Sequence, residues 1–378
     1  MSTSNKIDPP IPFVDIKGQY ANMESELNDA ILGVCRDASF IRGAALAEFE
    51  SRFAEIHGVG HAISVASGTD ALKLAVETLG IGSGDEVITV PNTWISTSFA
   101  ISHTGATPVF VDIDPDTYQM DVGALEKAIT PKTKAILPVH LYGHPAPMPE
   151  IVALCKSRGL YIVEDVAQAV LARINGQMVG AIGDIACYSF YPSKNLGCYG
   201  DGGMVITDND DLAAKMRMLC DYGQVEPHLH QMIGYNSRLD SLQAAVLLRK
   251  LPHLEAWTAA RRRVAGWYDE RLADLAVKRP VTGPGAEPVY HLYVIQVDNR
   301  DACVSYLRDH GVLAQIHYPS VIHLQPCYQD LGYHVGDMPV AEAARDKILS
   351  LPIYPEITEA QVDQVTGILR DYLSGADA

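Results

Sequence analysis

The sequence predicts an α/β fold in which helices cover both faces of a mostly parallel sheet. Short apolar runs alternate with amphipathic segments of helical periodicity from about residue 61 onward, as parallel strands joined by crossover helices do. The chain has 378 residues, more than one hydrophobic core usually organises, so two domains are expected. We place a large domain at 1–250 and a smaller C-terminal α+β domain at 251–378.

The elements follow in order along the chain. Residues 1–12 are polar and proline-rich and should form an extended arm, and apolar spacing predicts helices over about 20–57. Strands are then expected in HAISVAS, DEVITVP, PVFVDI, AILPVHLYG, YIVEDV, ACYSF and GMVIT. The longest helical stretch, 241–275, is interrupted at Pro252 and should join the two domains. Strand-like HLYVIQV, a loop at 316–328 and a helix near 358–373 complete the chain.

Composition and charge narrow the function classes. The net charge of −17 argues against a nucleic-acid partner, because there is no excess of Lys and Arg to neutralise phosphates. The N-terminal segment has no apolar h-region, and no apolar run approaches the roughly 18 residues of a membrane span. Seven scattered cysteines without a CxxC pair indicate reduced thiols and no zinc site. We expect a cytoplasmic protein without a membrane anchor or a metal.

Lys194 is the most informative residue of the chain. It follows a Pro-Ser turn in SFYPSKNLGCYGDGGMV, residues 189–205, between an aromatic-rich run and a glycine-rich loop. Most lysines are solvated at the surface, but this setting favours a buried amine. Burial lowers the pKa of a lysine, and a neutral amine can form a Schiff base with an aldehyde.

Asp165 is the expected partner of this lysine, 29 residues upstream. It ends the apolar strand YIVEDV, and ligands of open α/β sheets bind at the carboxyl ends of strands. A structural salt bridge is the common alternative. Glu164 faces the opposite side of the strand, so only one of the two carboxylates can point at a ligand. A lysine for an aldehyde and an aspartate for a ring nitrogen are the two anchors of pyridoxal phosphate.

Two polar clusters complete the candidate site. Ser67-Gly68-Thr69-Asp70 lies between a strand and a helix, where free N–H groups at a helix start bind anions, although an ordinary N-cap gives the same pattern. Asn236 and Arg238 in GYNSRLD precede a long helix, and their alternative is a capped helix start.

Five stretches together carry a family resemblance. They are SGTDALKLA (67–75), GDEVITVPNTWISTSFAI (84–101), PVHLYGHPAPM (138–148), EDVAQA (164–169) with SFYPSKNLGCYGDGGMV, and GYNSRLDSLQAAVL (234–247), and LSLPIYPEIT (349–358) extends the match. The chain resembles the DegT/DnrJ/EryC1/StrS family of pyridoxal-phosphate sugar aminotransferases, which have fold type I, the aspartate aminotransferase scaffold. The combination of these sequence stretches is far more specific than any one of them.

The resemblance implies a role for each matching residue. Lys194 would carry the Schiff base and shuttle protons, Asp165 would hold the pyridinium nitrogen, and Gln168 would reach the ring hydroxyl. It also implies phosphate binding by Gly68 and Thr69 of the turn described above. The resemblance alone assigns ring stacking to Trp94, phosphate binding to Ser189, and binding of the neighbouring subunit's phosphate to Asn236. A homodimer with two shared active sites is therefore expected.

The resemblance implies a reaction that moves an amino group from glutamate to a keto-deoxy sugar through the pyridoxamine form of the cofactor, and we expect this sugar to be linked to a nucleotide. The DYGQ and GYNSRLDSLQAAVL stretches resemble the branch that acts on 3-keto sugars more than the 4-keto branch. Basic or aromatic residues should contact the nucleotide tail, and the candidates are Arg238, His317, Tyr318 and His323.

One departure from the family pattern concerns the substrate. The family commonly has EDAAQA followed by a histidine, whereas this chain has Val170 and Leu171. Alternatives to the leading hypothesis are a pyridoxamine-phosphate-dependent sugar dehydratase, another fold type I enzyme such as a cysteine-type lyase, an aminotransferase for a non-nucleotide keto sugar or cyclitol, and a catalytically silent binding protein. Lys194 disfavours the dehydratase, since those enzymes have histidine at that position.

Overall fold

A computed structural model describes residues 7–375, and the first six residues of the predicted N-terminal arm lie outside this range. Its strands are β1 (His61–Val65), β2 (Glu86–Thr89), β3 (Thr107–Phe110), β4 (Thr133–Ile136), β5 (Tyr161–Asp165), β6 (Arg173–Ile174), β7 (Gln177–Met178), β8 (Ile185–Ser189), β9 (Gly203–Thr207), β10 (Gln224–Glu226), β11 (Leu229–His230), β12 (Ala286–Glu287), β13 (Tyr293–Gln296) and β14 (Ile348–Leu351). All seven strand candidates of the first 210 residues and HLYVIQV form strands.

The helices are α1 (Ile16–Asn22), α2 (Glu24–Asp37), α3 (Ala44–His57), α4 (Gly68–Thr78), α5 (Ser96–Ser102), α6 (Val122–Ala128), α7 (Met148–Arg158), α8 (Asp210–Leu219), α9 (Ser241–Lys250), α10 (Leu254–Arg271), α11 (Arg300–Asp309), α12 (Pro339–Arg345) and α13 (Glu359–Ser374). The predicted interruption at Pro252 is a short 3₁₀ turn between α9 and α10. Thr358 and Gln361 form a capping box that starts the predicted C-terminal helix, α13.

The central sheet has seven strands in the order β1-β9-β8-β5-β4-β2-β3. Neighbouring strands from β8 to β3 are parallel, and β9 alone runs against both of its neighbours. This arrangement confirms the predicted mostly parallel sheet. It also brings the carboxyl ends of β4, β5 and β8 side by side at one edge, where a ligand site is expected.

An aromatic cluster packs the N-terminal helices onto this sheet. Phe49 and Phe53 of α3 are fully buried, and the Phe53 ring lies 5.0 Å from that of Tyr188 and 5.7 Å from that of Phe190. Both partners stand on or directly after β8, the strand that leads to Lys194. The packing of α3 therefore fixes the strand next to the candidate site.

A second hydrophobic core lies among α10, α11, α13, β13 and β14. Ile11 of the N-terminal arm also belongs to this core. The backbone N–H of Ile11 donates to the carbonyl of Gly311 at 2.8 Å, which holds the arm against the second core. Residues between Val321 and Ile348 pack instead against the core of the central sheet. The division at residues 250 and 251 stays a prediction.

Two further findings apply to residues 7–375. None of their helices combines the length and the apolar character that crossing a membrane requires. Nor do their His, Cys, Asp and Glu side chains form a group that could hold a metal ion.

The buried position of Phe53 leads to a stability prediction. Phe53→Ala should lower the free energy of unfolding by about 3–5 kcal/mol, because it removes a buried ring and leaves a cavity. Urea unfolding of the cofactor-free protein measures this change. As a control, Val335→Ala at a position that is 81% exposed should change the same quantity by less than about 0.5 kcal/mol. Equal effects of the two substitutions would contradict the packing described here.

Candidate active site

A cavity of about 610 Å³ opens at the carboxyl edge of β5 and β8. Its walls come from the first turns of α4 and α5, from the loop after β8, and from the second core. The cavity brings together Gly68, Thr69, Trp94, Asp165, Gln168, Ser189, Lys194, His317 and Tyr318, nine of the twelve predicted site residues. Residues spread over most of the chain therefore share one enclosed space.

The anion-binding turn lies at the start of α4. Ser67 caps this helix, since its hydroxyl accepts a hydrogen bond from the Asp70 N–H at 3.1 Å. Ser189, at the end of β8, lies so close to Gly68 that a Cβ added to the glycine would stand 2.7 Å from the serine Cβ. Only glycine fits there, and the free N–H groups of the first helical turn together with the Ser189 hydroxyl can bind a phosphate.

Ser237 attaches the GYNSRLD loop to this turn. Its hydroxyl donates to Asp70 Oδ2 at 2.7 Å and accepts from the Ala66 N–H at 3.2 Å. The preceding Asn236 is exposed and is not among the lining residues of the cavity. Asn236 therefore lies next to the turn at the start of α4, with its side chain in solvent rather than in the cavity.

Asp165 presents a buried carboxylate to the cavity, being only 4% exposed. Oδ2 accepts from the hydroxyl of Thr97 at 2.8 Å, and Oδ1 accepts from the Ala167 N–H at 3.1 Å. Burial raises the pKa of Asp165, whereas these two hydrogen bonds and the nearby Lys194 lower it. Burial has the larger effect, so the pKa of Asp165 lies above its ordinary value, and in its ionised form the carboxylate can hold a cationic ring nitrogen.

Glu164 faces the other side of β5, as the strand alternation predicted. It accepts hydrogen bonds from the N–H groups of Gly180, Ile182 and Gly183 and lies 3.0 Å from Nε2 of His140. Although burial opposes ionisation, these bonds hold the pKa of Glu164 below its usual value. Glu164 fastens the loop before β8 to β5 and takes no part in lining the cavity.

Lys194 reaches the cavity from the turn that follows β8. The Lys194 N–H donates to the carbonyl of Tyr191 at 2.8 Å, which closes the predicted Pro-Ser turn. Burial lowers the pKa of Lys194 to about 8, and the charge of Asp165 acts in the opposite direction. At neutral pH a useful fraction of this amine is neutral and nucleophilic.

Helix α9 holds the loop behind Lys194. The Gln243 side chain accepts from the Tyr199 N–H at 2.7 Å, and the buried ammonium of Lys250 donates to the carbonyl of Gly197 at 2.8 Å. On the other side, Asn195 donates to the carbonyl of Val289 at 3.2 Å. These contacts fix the turn, so that the Lys194 side chain has a defined position.

Gln168 and two aromatic residues form another wall of the cavity. The side-chain oxygen Oε1 of Gln168 accepts a hydrogen bond from the Tyr142 N–H at 2.6 Å. Its side-chain Nε2 donates to the Tyr318 hydroxyl at 3.1 Å. The ring of Tyr318 lies 5.4 Å from that of Trp94, which is 57% exposed at the cavity mouth. This wall offers a planar surface and polar groups to a ring.

His317 lines the cavity next to the N-terminal arm. Its ring stacks on Phe13 at 5.3 Å, and its Nδ1 lies 2.9 Å from the Ser350 hydroxyl. Burial and the charge of Lys194 lower the pKa of His317 to about 4. The imidazole is therefore neutral at physiological pH and can exchange hydrogen bonds with a substrate without adding charge.

The structure places two predicted substrate residues outside the cavity. Arg238 pairs with Asp221 at 2.9 Å, and His323 is buried with its Nε2 3.1 Å from Oε1 of Glu342. Neither residue is among those that line the cavity, and a role of either in substrate binding stays a prediction. Val170 and Leu171, where the sequence departs from the family pattern, are buried in the core of the central sheet and do not line the cavity.

Sequence reasoning missed the hydroxyl residues of α5. Thr97 bonds to Asp165, and Ser96 lies 2.8 Å from the Thr69 hydroxyl of the phosphate turn. The available signal was NTWISTS, in which Thr93, Ser96 and Thr97 follow the three- and four-residue spacing that puts side chains on one helix face. Serine and threonine are too common for this spacing to stand out.

The residues present fit pyridoxal phosphate. The start of α4 and Ser189 suit its phosphate, the Asp165 carboxylate suits its ring nitrogen, and the Lys194 amine suits its aldehyde. All of these groups face one cavity large enough for the cofactor and part of a substrate.

Comparison with known proteins agrees with this geometry. The DegT/DnrJ/EryC1/StrS aminotransferase family matches residues 21–370. A UDP-N-acetyl-3-dehydro-alpha-D-glucosamine 3-aminotransferase of Acidithiobacillus ferrooxidans is 46% identical over 365 residues, covering 97% of this chain and 98% of the relative. A dTDP-3-amino-3,4,6-trideoxy-alpha-D-glucose transaminase of Streptomyces venezuelae is 44% identical over 370 residues, covering 98% of each.

The solved structures agree as well. The crystal structure of S. venezuelae DesV in complex with a ketimine intermediate superposes with a TM-score of 0.94 at 44% identity, covering 97% of this chain and 99% of that chain. The fold class predicted from the sequence is confirmed, as is the cofactor. The chain belongs to the DegT/DnrJ/EryC1/StrS aminotransferase family and is a pyridoxal-phosphate-dependent aminotransferase of fold type I.

Proposed function

We propose that this enzyme transfers the amino group of glutamate to C3 of a nucleotide-linked 3-keto-deoxy sugar. The observation that carries the proposal is the meeting of Lys194 and Asp165 in one cavity that also contains a phosphate turn. The position on the sugar rests on the two relatives named above, since both names place the amino group at C3. A place in amino-sugar biosynthesis follows from the same names.

Each side chain contributes one defined task. When bound, pyridoxal phosphate supplies an aldehyde that links to amines and a pyridinium ring that withdraws electrons. Lys194, whose pKa is lowered to about 8, would in its neutral form take a proton from the carbon on one side of the transferred nitrogen and deliver it to the carbon on the other side. Asp165 would hold the proton of the ring nitrogen, because its carboxylate lines the cavity and is oriented by the hydroxyl of Thr97 and the N–H of Ala167.

The proposed binding residues surround these two groups. Gly68, Thr69 and Ser189 would bind the phosphate, and Trp94 would cover one face of the ring. Gln168 would reach the ring hydroxyl once its amide turns from Tyr318. The phosphate contacts would fix the cofactor at one end, while the amine of Lys194 acts at the other.

The substrate would enter between the aromatic residues at the cavity mouth. Tyr318 and His317 line the cavity behind it, and neither carries a charge at neutral pH, since burial raises the pKa of Tyr318 and lowers that of His317. Hydroxyl groups of a sugar are neutral donors and acceptors, so an uncharged polar wall suits them.

We further propose a homodimer in which Asn236 reaches the phosphate of the other subunit. The hairpin of β10 and β11 and the residues next to it expose apolar side chains, among them Tyr222, Val225, Leu229 and Ile233, the last of which is 92% exposed. Clustered exposed apolar groups mark interaction surfaces. A cytoplasmic location fits the seven free cysteines, five of them buried.

A substrate panel tests the proposed reaction. With pyridoxal phosphate and glutamate, a nucleotide-linked 3-keto sugar should drive the release of 2-oxoglutarate at least about tenfold faster than the 4-keto isomer, because only one carbonyl position meets Lys194. The measurement follows 2-oxoglutarate and the amino sugar together. Faster turnover with a 4-keto sugar, a free keto sugar or a keto-cyclitol would reject the proposed acceptor but not the aminotransferase.

Substitution of the lysine provides the matched control for that assay. Lys194→Ala should lower turnover by at least about a thousandfold, since proton transfer by a positioned base is lost. Lys132→Ala, at an exposed position, should leave turnover unchanged. Full activity of Lys194→Ala would overturn the proposed mechanism.

The pKa of Lys194 is open to direct measurement. In the cofactor-free protein, the rate at which fluorodinitrobenzene labels Lys194 should rise with pH and reach half its maximum near pH 8. Mass spectrometry quantifies the labelled peptide, and Nα-acetyl-lysine in the same reaction gives the ordinary value of about 10.4. Asp165→Asn should move the midpoint lower, since the Asp165 charge raises the pKa of Lys194. A midpoint near 10 would contradict the buried position.

Mixed dimers test the shared site. Lys194→Ala and Asn236→Ala should each be impaired alone. Unfolded together and refolded, the two variants should regain about a quarter of wild-type activity, because half of the dimers are mixed and each has one intact site. No recovery in the mixture, with mixed dimers shown by mass spectrometry, would place Asn236 in the site of its own subunit.

A further inference from the structure

Thr97 makes a direct contact with the carboxylate that faces the ring nitrogen. It stands in the first turn of α5, is 1% exposed, and lines the cavity. Its hydroxyl lies 2.8 Å from Asp165 Oδ2. Because an ionised carboxylate only accepts hydrogen bonds, the Thr97 hydroxyl must be the donor.

Thr93 fixes the direction of this hydroxyl. The Oγ1 atoms of Thr93 and Thr97 are 3.2 Å apart, and both residues are buried. Since the one proton of Thr97 is directed at Asp165, Thr97 accepts the proton of Thr93. Two hydroxyls therefore form a chain that ends on the carboxylate, and chained hydrogen bonds strengthen each other in a buried site.

The same helical turn contacts the phosphate turn. Ser96, next to Thr97, lies 2.8 Å from the hydroxyl of Thr69, and Trp94 stands two residues earlier at the cavity mouth. One short segment thus holds the carboxylate, touches the phosphate turn and carries the stacking ring. A displacement of this turn would alter all three contacts together.

A buried carboxylate needs such a donor. Burial favours the protonated form of Asp165, and the Thr97 hydrogen bond is the largest of the interactions that oppose this effect. The Ala167 N–H occupies the other oxygen. Without Thr97, Oδ2 of Asp165 would accept no hydrogen bond from residues 7–375. Only the Ala167 N–H would then orient the carboxylate.

We propose that Thr97 is a positioning residue that keeps the Asp165 carboxylate ionised and aimed at the ring nitrogen, with Thr93 setting the direction of the Thr97 hydroxyl. The inference rests on the proposed role of Asp165. If Thr97 acts in this way, its removal weakens cofactor binding only by weakening the contact between Asp165 and the N–H group of the ring.

Cofactor binding to the purified cofactor-free protein tests this proposal without any substrate. Two ligands are compared: pyridoxal phosphate and its 1-deaza analogue, in which C–H replaces the ring nitrogen. Thr97→Val should weaken the binding of pyridoxal phosphate about tenfold, as expected for the loss of a hydrogen bond to a charged group. The 1-deaza analogue, which has no proton for Asp165, should change less than about twofold.

Three further variants complete the design. Thr97→Ser keeps the hydroxyl and should restore most of the affinity, and Thr93→Val should show a smaller loss with the same dependence on the ligand. Thr366→Val removes a buried hydroxyl bonded to the carbonyl of Val362 on α13, outside the cavity lining, and should affect neither ligand.

The outcomes separate the possibilities. Equal weakening of both ligands by Thr97→Val would overturn the proposal, because a merely structural role does not distinguish ring nitrogen from ring carbon. Unchanged affinity for both ligands would overturn it too. Failure of the wild-type protein to distinguish the two ligands would instead show that Asp165 does not hold the ring nitrogen.

Discussion

The candidate active site is organised around one amine and one carboxylate, those of Lys194 and Asp165, which face the same cavity. Burial shifts both groups toward their neutral forms, lowering the pKa of Lys194 and raising that of Asp165, while each charge favours the other. The proposed reaction requires that the amine lose its proton and that the carboxylate stay ionised. Hydrogen bonds distinguish the two groups: Asp165 accepts two that favour its charged form, whereas the Lys194 amine makes none with the residues between 7 and 375.

The sheet provides the geometry that this pair requires. Because β5 and β8 are parallel neighbours, Asp165 and the turn after Ser189 leave the sheet at the same edge. The antiparallel strand β9 then returns the chain beside β8, so the loop that contains Lys194 has both ends fixed. Helix α9 holds the middle of that loop through Gln243 and Lys250. Because this loop is held at both ends and in the middle, the position of Lys194 relative to the Asp165 carboxylate is fixed.

Much of this arrangement could be predicted from the sequence. The strand candidates were correct because buried parallel strands are continuous apolar runs, and Gly68, Asp165 and Lys194 share a cavity because strand ends and helix starts meet at one edge. Side-chain partners could not be predicted. Arg238 and His323 have residue types that suit a nucleotide, yet Asp221 and Glu342 occupy them. Thr97 bonds to a residue 68 positions away, a contact that no local pattern encodes.

The same electrostatics links cofactor binding to stability. Lys194 has a lower pKa in the folded protein, so between about pH 8 and its ordinary value the unfolded chain binds more protons and stability rises with pH. At neutral pH the folded, cofactor-free protein is therefore less stable than it would be without this shift, because folding buries an amine that is protonated in water. Asp165, with a raised pKa, adds a cost above its ordinary range, where the unfolded chain ionises more readily. A ligand that bonds covalently to the amine and gives the carboxylate a cationic partner removes both costs, so the cavity is electrostatically complementary to the cofactor rather than to water.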